Sequence, residues 1–392
     1  MSRRFVPHAL IYAGYYGAVG VTVPFLPSDL VARGLVSREI GLVLAVPAFM
    51  SVVLPMIAGY LADRFQRAVA MLRALLFATC LTLFLLSLTQ GFAQVMSAMV
   101  VHSIVSTPIL VLVEAATLTE LKKSGGSYGR VRLFGTLGFV LSAFLLGQTI
   151  RPALVEEGWV LRLAAASMFV AFLGSWLLRG VTMSRSTIDL SQAAGILRRP
   201  GVLALCLAGL FHWLAMAPYN AFFGLHAARL GLSSAVVGTS MAVGGVSEIV
   251  FMLLSRPLER RFQPGRLVAF AMALTVLRWV TSALATTGPL LIVAQALHGL
   301  SFGMFYTASI AALIRVVPDA LRATGQGLFM TAVFGVGGGF GTILFGELFA
   351  VLDGGALFLC SAAIEVLAVA VLLALDRSII RRCAGEQAAN AA

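Results

Sequence analysis

Charge is scarce in this chain. Of 392 residues only 11% are Asp, Glu, Lys or Arg, against roughly a quarter in soluble domains, and the only lysines are Lys122 and Lys123. With 60% of residues hydrophobic, a water-soluble fold has no way to hide the apolar surface. Neither lysine stands in a G-x-x-x-x-G-K-[ST] loop, which excludes ATP drive from this chain. There is also no HExxH, no GxSxG and no paired-acid metal motif, so an enzyme is not expected, nor a bound metal or cofactor. Cysteine is sparse too: Cys80, Cys206, Cys360 and Cys383 lie far apart without a CxxC pair and read as packing residues. The net charge of +12 sits in short clusters between apolar runs, which argues against nucleic acid as a partner and for membrane orientation. The first apolar stretch, Phe5 to Leu26, is too long for a cleavable leader and lacks a small-residue cleavage site, so it reads as a first span.

What the chain has is apolar length. A spanning helix needs about 20 apolar residues, because the hydrocarbon core is roughly 30 Å thick and each residue rises about 1.5 Å. Apolar runs between Gly, Pro and charge punctuation predict spans at 5–27, 38–62, 67–90, 93–120, 129–150 and 159–178, then 201–225, 234–257, 265–286, 289–315, 321–347 and 354–376. With an internal N-terminus, 22 of the 28 basic residues fall on one side. The positive-inside rule then puts both termini in the cytoplasm of a multi-pass inner-membrane protein.

The longest polar interval, 179–200, falls near the midpoint, as a linker between two six-helix halves would. A repeat supports that division. Asp63 and Arg64 in GYLADRFQR follow the second span, Glu259 and Arg260 in SRPLERRFQPGR follow the eighth, and the two acids are 196 residues apart, half the chain. The same offset carries His102 onto His298, Tyr16 onto His212 and Ser37 onto Ser233. The expected domains are a first bundle 1–178, a cytoplasmic linker 179–200, a second bundle 201–376 and a cytoplasmic tail 377–392.

Gly59, Leu61, Asp63, Arg64 and Arg67 resemble the loop signature of the major facilitator superfamily, G-x-L-x-D-R-x-G-R-R, with Gln66 and Ala68 departing from it. The resemblance implies an all-α membrane fold of twelve helices in two pseudo-symmetric six-helix bundles. It also implies a charge latch of Asp63, Arg64 and Arg67 with Glu259 and Arg260. The alternative is that these charges only mark a cytoplasmic boundary.

Ionisable side chains at mid-bilayer cost about 2.5 to 3.5 kcal/mol on insertion scales, so those retained usually line a cavity or pair with one another. Here they are His102, Glu114, His212, Glu248, Arg278, His298 and Glu365. Glu114 and Arg132 flank a KKSGGSYG hairpin that turns the chain back so that the two can face one another. Arg offers a planar fork to hydroxyls or a carboxylate, and Glu accepts beside it. A structural ion pair at the turn is the other reading. The surrounding stretch, Glu114-Ala115 followed by [FY]-G-R-x-R-x-F-G over Tyr128 to Gly135, resembles the lactose permease, phenylpropionate and nucleoside proton symporter branch of that superfamily. The resemblance implies substrate binding by Glu114 and Arg132. It also places Arg278 and His298 at proton-site positions, with Ser301 where an acid is expected and Glu248 one turn from the usual eighth-span acid. Glu248 is therefore the expected proton carrier, with Arg278 and His298 tuning it.

Further lining is expected from Tyr12, Tyr15 and Tyr16 in the first span and from His212, Trp213, Tyr219 and Asn220 in the seventh. His102 and His212 read equally as helix-to-helix hydrogen bonds, and Glu365 in the twelfth span reads as structural. The glycine run Gly335 to Gly341 suits close helix packing or sliding. The expected function is proton-coupled symport of a small organic solute, an aromatic or other carboxylate or a sugar or nucleoside, by a monomer in the lipid bilayer using the proton gradient alone. Export by proton antiport is the alternative, since drug antiporters often carry Arg where this chain has His102 but lack the Glu114 and Arg132 pair. A non-transporting receptor comes third.

Overall fold

The computed structural model describes residues 3–125, 127–178 and 195–375. Among them there is no strand, and twelve helices are long and apolar enough to cross a membrane. They are α1 Val6–Ala32, α2 Ser37–Phe65, α3 Ala68–Leu86, α4 Gly91–Ser124, α5 Tyr128–Thr149, α6 Trp159–Trp176, α7 Pro200–Arg229, α8 Ser234–Arg261, α9 Pro264–Leu284, α10 Gly288–Val316, α11 Thr324–Val351 and α12 Gly354–Leu375. Every expected span is present. Several run up to about a turn past the expected ends, because polar termini such as Ser28 to Ala32 and Leu258 to Arg261 continue the backbone ladder beyond the apolar run that signals them. A one-turn helix, Pro152–Glu156, lies between α5 and α6 and is too short to signal a span. Most of the expected linker, and the expected tail, lie outside the described residues.

The lipid-facing surface explains the composition. Leu81, Phe84, Leu85 and Leu88 around the end of α3, Phe169, Val170 and Leu173 on α6, and Val366, Leu367 and Leu373 on α12 are exposed. Belts of this size do not persist on a monomer in water. Hydrocarbon is their natural solvent.

In a bilayer every backbone polar group has to be satisfied within the protein, so each irregular turn needs a cause. In α4, Pro108 removes a donor, and the Thr107 hydroxyl donates to the Ser103 carbonyl at 2.9 Å beside the break. In α7 the Pro218–Phe222 segment widens to a π turn that opens on another proline. Two further π turns occupy Gly299–Met304 in α10 and Thr331–Gly337 in α11. Such widenings often mark functional sites.

The residues group into two compact units. Among the described residues, one comprises 3–125 and 127–178 with 219–242 and 342–351, and the other comprises 195–218, 243–341 and 352–375. In the first, α1 packs on α5 and α6, and α3 packs on α6. In the second, α7 packs on α11 and α12, and α9 packs on α12. The same arrangement thus appears in each half of the chain, as the 196-residue offset suggests.

Within the first unit, the start of α8 and the end of α11 seat on α5 and α2 through two matched crossings. Gly41, four residues into α2, lies so close to α11 that a Cβ there would meet the Thr342 carbonyl oxygen at 2.5 Å. Gly346, one turn on, faces the Ser37 carbonyl and Gly41. Gly238, four residues into α8, meets the Ala143 carbonyl of α5, and Gly147, one turn on, would place a Cβ 2.8 Å from the Cα of Gly238. Only glycine permits backbones to approach this closely. An ion pair between Arg38 and Glu347 flanks the first crossing.

Candidate functional site

Two polar clusters stand out, one in each unit. The first is built by α1, α4 and α5. Tyr12 and Tyr16 stack at 6.4 Å between centroids, and Tyr15 meets Tyr16 edge-on at 5.1 Å. From the first turns of α5, the Arg132 guanidinium lies 3.9 Å above the Tyr16 ring and 5.7 Å from that of Tyr12, a cation over two aromatic faces. Tyr128 donates its hydroxyl hydrogen to Glu114 Oε1 at 3.1 Å. The sequence reading singled out Glu114, Arg132 and Tyr16, and the structure brings these three together. Tyr128 entered that reading only as part of a motif, yet it is the residue that fixes the carboxylate.

Gly135 makes this packing possible. A Cβ there would sit 2.7 Å from Tyr16 Cδ2 and 2.8 Å from an Arg132 terminal nitrogen. A methyl group would thus push ring and guanidinium out of register. Lower in the same unit, buried His8 hydrogen-bonds Thr117 at 3.0 Å, while the Thr117 hydroxyl donates to the Val113 carbonyl. His8 escaped the sequence reading because it lies near the very start of α1.

His102 belongs elsewhere. Its Nδ1 lies 3.0 Å from Thr82 Oγ1 on α3, and the Thr82 hydroxyl in turn donates to the Thr79 carbonyl at 3.1 Å. The helix-to-helix reading of this histidine describes that bond.

The centre of the second cluster is sealed, while Glu248 and His298 at its margin are half-buried. Arg278 on α9 is wholly buried. It donates from Nε and a terminal nitrogen to the Gln295 side-chain oxygen at 3.2 and 2.7 Å, with another terminal nitrogen 3.7 Å from Met216 Sδ. Gln295 is itself held by the Leu291 carbonyl at 3.1 Å. The expected site did not include Gln295, since an amide in an apolar helix gives no signal of its role. His298, one turn on, stacks on Phe302 at 6.0 Å. Glu248 on α8 lies against Gly303 of α10, where a Cβ would stand 3.5 Å from its Cγ.

His212 on α7 bridges two further helices. Its Nδ1 is 2.7 Å from Glu365 Oε1 on α12, and its Nε2 is 2.8 Å from the Ser301 carbonyl oxygen in the π turn of α10. Phe305 lies over the imidazole at 4.0 Å. Neighbouring Trp213 points instead into an aromatic group, 4.4 Å edge-on to Phe334 and 5.7 Å from Phe302. Asn220 occupies the π turn of α7 and is half-buried.

At the end of α2, Arg64 donates to the Tyr60 hydroxyl at 2.9 Å. Asp63 Oδ1 is buried with no hydrogen-bond partner among the described residues. Gln66 takes a left-handed φ of 53° and donates its amide to the Asp63 carbonyl at 2.6 Å. Arg67 follows as the cap of α3. In α8 the corresponding Glu259 is half-buried and Arg260 exposed.

Comparison with known proteins agrees with this architecture. The family described as "MFS_1 like family" matches residues 8–360. The maltose permease of Geobacillus stearothermophilus is 26% identical over 391 residues, covering 96% of this chain and 95% of the permease. The probable 3-phenylpropionic acid transporter of Escherichia coli K12 is 27% identical over 311 residues, covering 77% of this chain and 80% of that protein. Among solved structures, the D323A mutant of the nucleoside transporter NupG superposes with a TM-score of 0.86 at 17% identity, covering 96% of this chain and all of that one. A D-xylose–proton symporter superposes with a TM-score of 0.71 at 16% identity, covering 96% and 97%.

Proposed function

The chain belongs to the MFS_1-like family of the major facilitator superfamily and is a multi-pass membrane transporter of that fold, and from that premise we propose that it is a proton-coupled symporter of a small organic solute. The two six-helix halves, 1–178 and 201–376, work by alternating access, with the 179–200 linker and both termini on the cytoplasmic face of the inner membrane. The working unit is a monomer.

The observation that carries this reading is Arg132 held over Tyr16 beside the Tyr128–Glu114 hydrogen bond. A guanidinium laid on aromatic rings suits a solute with a carboxylate and a flat body: the fork takes the carboxylate and the rings take the body. Glu114 accepts from a hydroxyl or amine on the same solute. The relative named a probable 3-phenylpropionic acid transporter supports the aromatic carboxylate. The maltose permease relative supports a second substrate class, sugars or nucleosides, whose hydroxyls Glu114 and Arg132 would share. Asp63, Arg64, Arg67, Glu259 and Arg260 act as the latch between access states. Glu248, Arg278 and His298 form the coupling region.

The test is a thermal-shift comparison of purified wild type and Arg132→Ala with 3-phenylpropionate, maltose and xanthosine. The expected result is that 3-phenylpropionate stabilises only the wild type. Stabilisation by maltose or xanthosine alone would move the substrate to the second class. Counterflow in proteoliposomes with an imposed pH gradient then fixes direction, since solute accumulation under an inward proton gradient is symport and depletion is export by antiport.

A further inference from the structure

The hydrogens around His212 can be placed from chemistry alone. A carbonyl oxygen only accepts, so at 2.8 Å from Ser301 O the Nε2 of His212 carries a hydrogen and donates it. Nδ1 then faces Glu365 Oε1 at 2.7 Å, with both side chains fully buried. Were the imidazole neutral and the carboxylate ionised, two lone pairs would confront one another at that distance in a water-free place, and the contact would repel. One additional hydrogen on the Nδ1–Oε1 line turns repulsion into a strong hydrogen bond, whichever of the two atoms it is bonded to.

We propose that His212 and Glu365 form a proton-binding site beside the coupling region, occupied in this structure by one exchangeable proton between Nδ1 and Oε1, and that this pair, in place of Glu248, holds the proton carried with the solute. The proposal rests on the symport reading above. Loading adds one proton to a neutral imidazole and a carboxylate, so the pair passes from a net charge of −1 to zero. Unloading restores the −1 charge and separates the two side chains.

The neighbouring groups suit both states. From α9, Arg278 lies within electrostatic range of Glu365, and from α10 His298 lies within range of His212. On α11, the Thr331–Gly337 segment that packs on α7 has no titratable group. Arg278 therefore balances the carboxylate once the proton has left, which keeps an unloaded pair tolerable inside the membrane. The ring is pinned by the carbonyl of Ser301, which lies in the π turn of α10. A shift of that turn frees Nε2 and loosens the grip on the proton.

The test needs no solute. A proton bound by the folded chain and not by the unfolded one gives stability at low pH that is lost as pH rises. Purified full-length protein is melted between about pH 6 and about pH 9, and the wild-type Tm should fall by roughly 2 to 4 °C per pH unit until the folded pair releases its proton, and level off above that pH. Glu365→Gln supplies an amide hydrogen to Nδ1 at every pH and should flatten that slope, and His212→Gln should also remove it. A flat wild-type profile overturns the site without any variant, and so does a variant that keeps the wild-type slope. In proteoliposomes with 3-phenylpropionate, maltose and xanthosine as probes, Glu365→Gln should lose more than about tenfold of gradient-driven accumulation but less than about threefold of counterflow. Equal losses reduce the pair to a structural one. A wild type with the steep thermal slope but no proton-driven accumulation of any probe defeats the transport role and the symport reading, while the proton site stands.

Discussion

The two polar clusters use the same residue types in opposite ways. In the first, Arg132 is half-buried and lies on the faces of tyrosines. In the second, Arg278 is fully buried and spends two donors on Gln295. A cation laid on ring faces suits recognition of a flat anion, whereas a cation bonded to an internal amide suits a fixed charge. The first arrangement suits a solute that arrives and leaves, and the second suits a field that acts on a nearby proton.

The largest expected effect separates the clusters directly. Arg132→Lys keeps the charge but loses the planar fork, and it should weaken 3-phenylpropionate binding by about 1.4 to 2.7 kcal/mol, roughly ten- to a hundredfold. Isothermal titration of the purified protein measures it. Unchanged affinity in the lysine variant would mean that the guanidinium geometry is idle and would erase the contrast drawn between the two arginines.

Gln295→Leu tests the second cluster. It removes two side-chain hydrogen bonds from the buried Arg278, and the loss of a partner from a buried polar group costs about 1 to 2 kcal/mol. Chemical denaturation in detergent should show a fall of that order, while 3-phenylpropionate affinity changes little. A stability loss below about 0.5 kcal/mol would indicate that the internal amide does not anchor the cation.

Much of this contrast was out of reach of the sequence, for physical reasons. The twelve spans were legible because apolar length is a property of each segment by itself. Glu114 with Arg132 was legible because a short hairpin joins their helices, so separation along the chain fixed proximity. His212 and Glu365 are 153 residues apart on helices that only tertiary packing unites. Each looks like an isolated cost in an apolar run. Two such costs of complementary chemistry argue for a partnership, but nothing in either segment names the partner. Gln295 was illegible for another reason: an uncharged amide carries too small an insertion cost to demand an explanation. Gly41 and Gly238 were concealed among the 39 glycines of the chain, and only their matched placement four residues into α2 and α8 reveals them.

Those glycines allow a third, smaller test within the first unit. Gly238→Val adds bulk where even a Cβ would collide with the Ala143 carbonyl oxygen, and Gly41→Val does the same against that of Thr342. Close-packed crossings lose typically 1 to 3 kcal/mol to such overpacking. The matched geometry predicts similar effects at both sites. Thiol labelling of a cysteine introduced at Ser37 or Ser234 should speed up in each variant, since the crossing it lies in has been forced apart. Faster labelling at only one of them would mean that the two crossings are not equivalent.

The smallest expected effect concerns Gln66. The loop signature has glycine at this position, and here Gln66 adopts φ 53°, a left-handed conformation that costs a residue with a Cβ about 1 kcal/mol. Its side-chain amide recovers part of that cost by donating to the Asp63 carbonyl at 2.6 Å, one of the last acceptors of α2. The two contributions oppose each other, so Gln66→Gly should change stability by less than about 0.5 kcal/mol in either direction, because relief of strain and loss of the cap nearly cancel. Gln66→Ala loses the cap and keeps the strain, and it should be less stable than the glycine variant by about 1 kcal/mol. Denaturation of the three proteins side by side measures both differences. An alanine variant as stable as glycine would show that the backbone at this turn relaxes once the amide is gone, and that the left-handed geometry is imposed by the side chain of Gln66 and not by the turn joining α2 to α3.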